Sequence, residues 1–544
     1  MKCPTSLPRF PVVLLTSSLF LWSCGGGSDP GTSNTAGGSP AGAGTPTGGS
    51  ASGGQSGLGG GTSGGAPTSG GTSGGGASSG GASSGGTSSG GTSSGGTSSG
   101  GASSGGRSSG GSVNGGTGGF GGSDSGGATL GGSASGGDGS GGELPTCDPN
   151  TGNQNDGDAN IDFDTEYQVI RGFGGVNMVG GPGIPSWETI FDMPPEAVDT
   201  AFGVDDGDLG LTILRIRVPY DQTKWQDEVA TAKRASDLGA IVFATPWSPP
   251  TSMKSNGSLV GGELMESAYG TYADFLVAFR DYMQEQGVPI YAISVQNEPD
   301  IAVSYESCDW TSGQIVDFLS SQGSRFGDTK LIAAESFNFN HSITDPILNS
   351  ATAEPQVDII GGHIYGGGLA DYPLARNKGK EVWMTEHFTE SSNDGNVWPL
   401  ALDVAKELND SMKANFNAYV WWYIRRSYGL INDDNQVTKR GYLMSQYSRF
   451  VRPGAVRIGA TNPSANDVHV TAYKHDGKLV VVAVNLSSQQ QDITLDLFGG
   501  CVQGFAKYTT SGTKSAANEG DTTVSDNKAA VKLDGQSATT FVSY

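Results

Sequence analysis

Histidine and cysteine are scarce in this chain, five of each in 544 residues. No two histidines stand at His-x-x-x-His spacing. Cys3, Cys24, Cys147, Cys308 and Cys501 are too widely and irregularly spaced for a zinc site. A catalytic metal is therefore not expected, and no cofactor is expected either. Basic residues are also few: 31 Lys and Arg against 54 Asp and Glu leave a formal charge of −23. That balance argues against nucleic acid as a partner and suits a soluble exported protein. No apolar run reaches the roughly 20 residues of a membrane-spanning helix. The run from Val12 to Trp22 is shorter, and Lys2 and Arg9 precede it, so 1–24 reads as a signal peptide. It ends at Leu21-Trp22-Ser23-Cys24-Gly25, which resembles the lipidation signal of bacterial lipoproteins. A lipid on Cys24 would anchor the protein to a membrane. Trp22 departs from that pattern, and simple cleavage with release is the other outcome.

From 25 to 157 apolar side chains are nearly absent, and Gly, Ser and Thr repeat in runs such as Ser-Ser-Gly-Gly-Thr. Such a segment has too little to bury to offset the entropy of ordering, so a flexible linker is expected. Ordinary globular texture begins near Asp158 and continues for roughly 390 residues, more than the ~250 of a single barrel. Short strands and helices alternate across 171–452. The strands are seeded by Phe173, Leu211–Val218, Ile241–Ala244, Tyr291–Val295, Leu331–Ala334, Val357–Ile360, Glu381–Glu386 and Ala418–Trp422. This pattern predicts a (β/α)8 barrel. Beyond 453 strands alone follow, as in an antiparallel β-sandwich over 453–544. Two short strands read in 158–170 have no helix partners and are expected to join an edge of that side domain.

Two strands of the barrel end in carboxylates. Tyr291-Ala292-Ile293-Ser294-Val295 runs into Gln296-Asn297-Glu298-Pro299, and Glu381-Val382-Trp383-Met384-Thr385 runs into Glu386-His387. Pro299 has no N–H and ends the ladder, which leaves Glu298 at the end of the barrel where chemistry occurs. Glu298 and Glu386 stand on the fourth and seventh strands and would face each other across a sugar. Two carboxylates about 5–5.5 Å apart cleave a glycosidic bond with retention. Asn297 is placed to hydrogen-bond a sugar hydroxyl.

The same residues carry a family resemblance. The stretches Gly172-Phe173-Gly174-Gly175, Pro246-Trp247-Ser248-Pro249-Pro250, Val295–Pro299, His363-Ile364-Tyr365-Gly366, Trp383–His387 and Trp421-Trp422-Tyr423-Ile424-Arg425-Arg426-Ser427-Tyr428-Gly429 resemble the glucuronoxylan-specific xylanases of glycoside hydrolase family 30. The resemblance covers 158–544 and implies Glu298 as general acid/base and Glu386 as nucleophile. It further implies that Arg426, Tyr428 and Ser391 grip the glucuronate branch, with Trp422 and Tyr423 nearby. A guanidinium suits a carboxylate because it offers two parallel hydrogen bonds. The substrate implied is glucuronoxylan, and the expected state is a monomer. One departure is Thr251-Ser252-Met253-Lys254, where relatives often carry a second aromatic.

Some points stay open at this level. Trp247 suits stacking on a xylose face or core packing, with stacking preferred. Tyr365 suits a hydrogen bond to Glu386 or packing. Either Arg215 or Arg217, on one face of one strand, would steady Glu386. Other functions compatible with the sequence are a β-glucosidase, galactanase or β-xylosidase on the same scaffold, or a non-catalytic glycan-binding surface protein.

Overall fold

The computed structural model describes residues 157–180, 192–389, 391–464 and 467–544. The signal over 1–24 and the linker over 25–157, Gly157 apart, lie outside the described residues, as do Cys24 and Cys147.

The described chain opens with β1 (Ala159–Val169) and then builds a closed barrel of eight parallel strands. These are β2 (Gly172–Val176), β3 (Ile213–Arg217), β4 (Ile241–Thr245), β5 (Ile290–Ser294), β6 (Lys330–Ser336), β7 (Ile359–His363), β8 (Glu381–His387) and β9 (Ala418–Trp421). Between and after them lie α1 (Pro195–Phe202), α2 (Val229–Asp237), α3 (Tyr269–Glu285), α4 (Ser312–Gln322), α5 (His341–Asn349), α6 (Pro373–Asn377), α7 (Leu402–Lys413) and α8 (Lys439–Ser448). Polar caps start several of them. Thr311 and Gln314 form a reciprocal capping box on α4, and Thr438 caps α8 by accepting from the Gly441 N–H. The segment between β3 and β4 holds two helical pieces. A tight 3₁₀ turn over Gln222–Glu228, pinned by the Trp225 indole donating to the Pro219 carbonyl, precedes α2.

Inside the barrel, alternate residues form a packed layer that includes Val176, Ile213, Phe243, Ala292, Ile332 and Trp383. Strands approach closely at Gly174, where an added Cβ would lie 2.1 Å from the Ile213 carbonyl oxygen. That contact explains why Gly174 carries no side chain.

The second domain adds β10 (Val456–Ala460), β11 (Val468–His475), β12 (Lys478–Asn485), β13 (Gln491–Phe498), β14 (Gly504–Thr510), β15 (Ala517–Thr523), β16 (Lys528–Leu533) and β17 (Ser537–Ser543). They pair in the order β15-β14-β17-β12-β11-β10-β1-β13-β16. Its core is built from Ile161, Ile458, Val470, Val481, Leu495 and Phe541. The region 158–170 departs from expectation in two ways. It is one strand, irregular between Asp162 and Val169, and it lies inside the sheet rather than at an edge. It runs antiparallel to β10 and parallel to β13, so the sandwich is not wholly antiparallel.

Helices α7 and α8 lie between the two domains. Leu402, Ala405 and Leu443 pack with Val484 and Ala538. The buried Gln446 donates to the Thr510 hydroxyl and accepts from Thr540 at 2.6 Å. Cys501 is disulfide-bonded, whereas Cys308 is free and buried in the barrel core. No helix among the described residues is long and apolar enough to cross a membrane.

Ile161 is wholly buried between β10 and β13. Ile161→Ala should destabilise the protein by about 2–5 kcal/mol. The measurement is the urea midpoint at constant slope, and an unchanged midpoint would mean that β1 is not integral to the fold.

Candidate active site

The centre of the site is a guanidinium. Arg215, from β3, is fully buried. Its Nη1 donates to Glu386 Oε2 at 2.5 Å, its Nη2 to Asn297 Oδ1 at 2.7 Å, and its Nε to Thr245 Oγ1 at 3.2 Å. Glu335 Oε1 lies 3.1 Å from the same Nη2. One arginine thus gathers four side chains from four other strand ends, which its rigid fork of donors suits. Arg217 is committed elsewhere, in a buried pair with Glu306. Between the two arginines, Arg215 is the one that touches Glu386.

Backbone irregularities aim the carboxylates. Against β7, the step from Met384 to Glu386 on β8 spans one residue more than Gly362 to His363, a bulge at Thr385. Against β7 from the other side, β6 bulges at Glu335. Such bulges re-aim side chains beside active sites. Glu298, Glu335 and Tyr423 adopt φ of 43°, 49° and 54°, a left-handed conformation uncommon for residues with side chains. All three lie at strand ends around the same opening.

Glu298 is 5 % exposed, and its two oxygens are both engaged. Oε1 lies 2.8 Å from His363 Nδ1, and Oε2 accepts from the Tyr305 hydroxyl at 3.0 Å. A carboxylate oxygen of Glu298 and one of Glu386 lie within 4.8 Å of each other. Glu386 Oε1 accepts from the Tyr365 hydroxyl at 3.1 Å. Both of its oxygens therefore receive hydrogen bonds.

The electrostatics separate these acids. Burial, together with the Glu386 charge, pushes the Glu298 carboxyl above its usual range, against the hydrogen bond and positive charge of His363. Glu335 is equally buried, yet the Arg215 charge and His363 hold it down at about 2. Burial alone would lower His363, but Glu386, Glu298 and Glu335 surround it and push it up to about 9.

The other expected residues are found close by. Trp247 is 6 % exposed and lies beneath the Arg215 guanidinium, 4.8 Å from ring centroid to Cζ. It therefore forms the floor of the site more than a broad sugar platform, because protein already covers most of its ring. Trp422 stands 6.1 Å from Trp247 and 4.1 Å from Tyr423. Tyr423 is buried and supports Arg426, whose Cζ lies 4.7 Å from the Tyr423 ring centroid. On the other side, the rings of Tyr365, Phe388 and Tyr428 follow one another at 6.0 and 5.1 Å. Ser391 accepts from Arg440 at 3.1 Å. Arg425, neighbour of Arg426, is tied to its own loop through Asn435 Oδ1 at 2.6 Å and the Asp433 carbonyl at 2.5 Å. At the departure over 251–254, Lys254 is buried and donates to Ser248 at 2.9 Å, bracing the loop behind Trp247.

Glu335, Tyr305 and the role of His363 escaped the sequence reading. Glu335 ends its strand as Glu298 and Glu386 end theirs, so the same strand-end signal pointed to it. His363 and Tyr365 alternate at the end of β7, which places both towards the opening. Glu298, His363 and Glu386 have the spacing of a metal-binding group among the described residues. Their oxygens and nitrogen are already engaged with one another, with Arg215 and with two tyrosines, and a cation is already present at the centre. This donor set is poorly matched to a metal.

A closed eight-stranded parallel barrel with paired carboxylates at the ends of its fourth and seventh strands defines a glycoside hydrolase. Family comparison narrows the class. Residues 204–421 match the glycosyl hydrolase family 30 TIM-barrel domain, and residues 454–541 match the glycosyl hydrolase family 30 beta sandwich domain. The chain belongs to glycoside hydrolase family 30. It is similar to glucuronoxylanase XynC of Bacillus subtilis (strain 168), 42% identical over 397 residues, which cover 71% of this chain and 91% of that one. Among solved structures it is similar to the family 30 subfamily 8 xylanase Xyn30A of Clostridium acetobutylicum. The TM-score is 0.65 with 38% identity, over 71% of this chain and 98% of that one. A family 30 endoxylanase from Clostridium papyrosolvens C71 gives a TM-score of 0.63 with 34% identity, over 71% and 99%.

Because the native pKa of His363, about 9, lies above the ordinary 6.5, its charge stabilises the fold fully below about pH 6.5. That contribution is lost as pH rises through about 9. His363→Asn should flatten the fall in unfolding midpoint across this window. A variant whose midpoint follows the wild type throughout would show that His363 does not titrate there.

Proposed function

We propose that the chain is an exported, endo-acting, retaining β-1,4-xylanase that cuts glucuronoxylan at positions set by its (4-O-methyl)glucuronate branches. The observation that carries this reading is the approach of Glu298 and Glu386 to within 4.8 Å beside loops bearing Arg426, Tyr428 and Ser391. The similarity to glucuronoxylanase XynC supports the same substrate. Support for export is the apolar run behind Lys2 and Arg9.

In this mechanism Glu298 gives its proton to the glycosidic oxygen as the bond to the anomeric carbon breaks. Glu386 attacks that carbon and forms a glycosyl ester, releasing the leaving end of the polymer. Glu298, now a carboxylate, takes a proton from water, whose oxygen attacks the same carbon and frees Glu386. Two inversions give net retention, and the short carboxylate separation suits this course rather than inversion, which needs about 6.5–9.5 Å. The raised pKa of Glu298 keeps a proton available for the first step. Arg215 holds Glu386 aimed, and Tyr365 orients its other oxygen. Asn297 lends its oxygen to Arg215, which leaves its amide N–H groups for a sugar hydroxyl.

Glu298→Gln should lower turnover of xylan by about 10²–10⁴-fold, and much less on an aryl xyloside whose leaving group needs no proton. Equal losses on both substrates would refute the acid role. Arg426→Ala should lower activity on glucuronoxylan about 10–100-fold relative to unbranched xylan, since hydrogen bonds to a charged group contribute about 1.5–3 kcal/mol. If initial rates on the two polymers fall together, the arginine does not read the branch.

A further inference from the structure

Arg440 stands on the first turn of α8, away from both carboxylates of the cleft, and is fully buried. Its guanidinium is shared between two loops. From the loop after β8, Nη1 donates to the Ser392 carbonyl at 3.1 Å, and Nη2 donates to the Thr389 carbonyl at 3.3 Å and to Ser391 Oγ at 3.1 Å. From the loop after β9, the Tyr428 carbonyl accepts from Nη1 at 3.0 Å. The helix start adds further ties to both. The Arg440 backbone N–H donates to the Gly395 carbonyl at 3.1 Å, while Thr438 Oγ1 donates to the Gly429 carbonyl at 2.7 Å. The loops are also joined directly, Gly395 N–H to the Ser427 carbonyl at 2.9 Å.

Two consequences follow for the side chains these loops carry. Ser391 and Tyr428 are held in register by one rigid fork of donors, which a lysine ammonium cannot reproduce. In addition, Ser391 Oγ accepts from a cation and lies 3.5 Å from Thr389 Oγ1, and a hydroxyl that accepts from a cation is a stronger donor through its own O–H. All four acceptors on Arg440 are neutral. Its charge is therefore not spent on an acid within hydrogen-bonding reach, and Asp394, Asp403 and Glu407 act on it only through space.

We infer that Arg440 is a positioning residue for substrate selectivity: it fixes the two loops and turns Ser391 into a donor, so that the branch pocket accepts a carboxylate and discriminates against a hydroxyl. This rests on the assignment of Arg426, Tyr428 and Ser391 to the branch under Proposed function.

The experiment compares kcat/KM on glucuronoxylan with that on the same polymer after its carboxyl groups are reduced to hydroxyls, using the full chain. The wild type should favour the native polymer; no preference would overturn the branch reading itself and this inference with it. Given that preference, Arg440→Lys should reduce the ratio about tenfold, mainly through KM on the native polymer. Ser391→Ala should reduce the ratio by a similar factor, and the double variant should lose little more than either. A ratio retained in Arg440→Lys while both activities fall together, or fully additive losses, would assign Arg440 to the fold alone and overturn the inference. Should Arg440→Lys prove insoluble, Ser391→Ala and Ser391→Thr decide the matter: threonine must restore the ratio that alanine loses, and an alanine variant with an intact ratio overturns the proposal.

Discussion

The ion pair between Arg215 and Glu386 is the constraint on which the site depends. A buried cation is costly to desolvate and is retained only where geometry and additional hydrogen bonds compensate. Arg215 meets that condition by spending its donors on Glu386, Asn297 and Thr245, with Glu335 as a second counter-charge. Removing one partner from such a pair leaves a stranded charge, at a cost of about 3–5 kcal/mol. The fold around it is accordingly fixed: strands two, three, four, five and seven of the barrel all contribute an atom to one guanidinium or to the carboxylates it holds.

Charge accounting around this pair explains how neighbouring acids differ. Glu335 and Glu386 lie against Arg215, whereas Glu298 lies against His363 and Tyr305. With one guanidinium serving the first two, the third carboxyl takes the burial penalty and the repulsion of Glu386. Similar residue types thus acquire different proton affinities from their positions on the barrel rim. The left-handed backbone at Glu298 and Glu335 accompanies that placement, as strained residues gather at functional sites.

Much of this was legible in the sequence, for identifiable reasons. The barrel could be read because short apolar strands alternate with helices, and Glu298 and Glu386 stood out because each closes a strand. The choice between Arg215 and Arg217 could not be read, since both lie on one face of β3 and differ only in depth. Arg217, nearer the rim, meets Glu306 from the loop after β5, a contact that no local pattern announces. β1 looked like two strands because polar residues interrupt it at the irregularity between Asp162 and Glu166. The aromatic residues presented a subtler difficulty: Trp247 and Tyr423 stand beside the cleft, but whether a ring faces sugar or protein depends on what covers it.

Helix α8 has one further implication. Its first turn grips the loops around the cleft, and farther along it Gln446 is fastened to Thr510 and Thr540 of the sandwich. Lys439 reaches the Ser511 and Lys514 carbonyls of that same domain at 2.8 and 2.7 Å. The β-domain is in this sense scaffolding for the catalytic mouth and not a detachable appendage. Shortening the protein to its barrel would release the far end of the strut that keeps the mouth in shape.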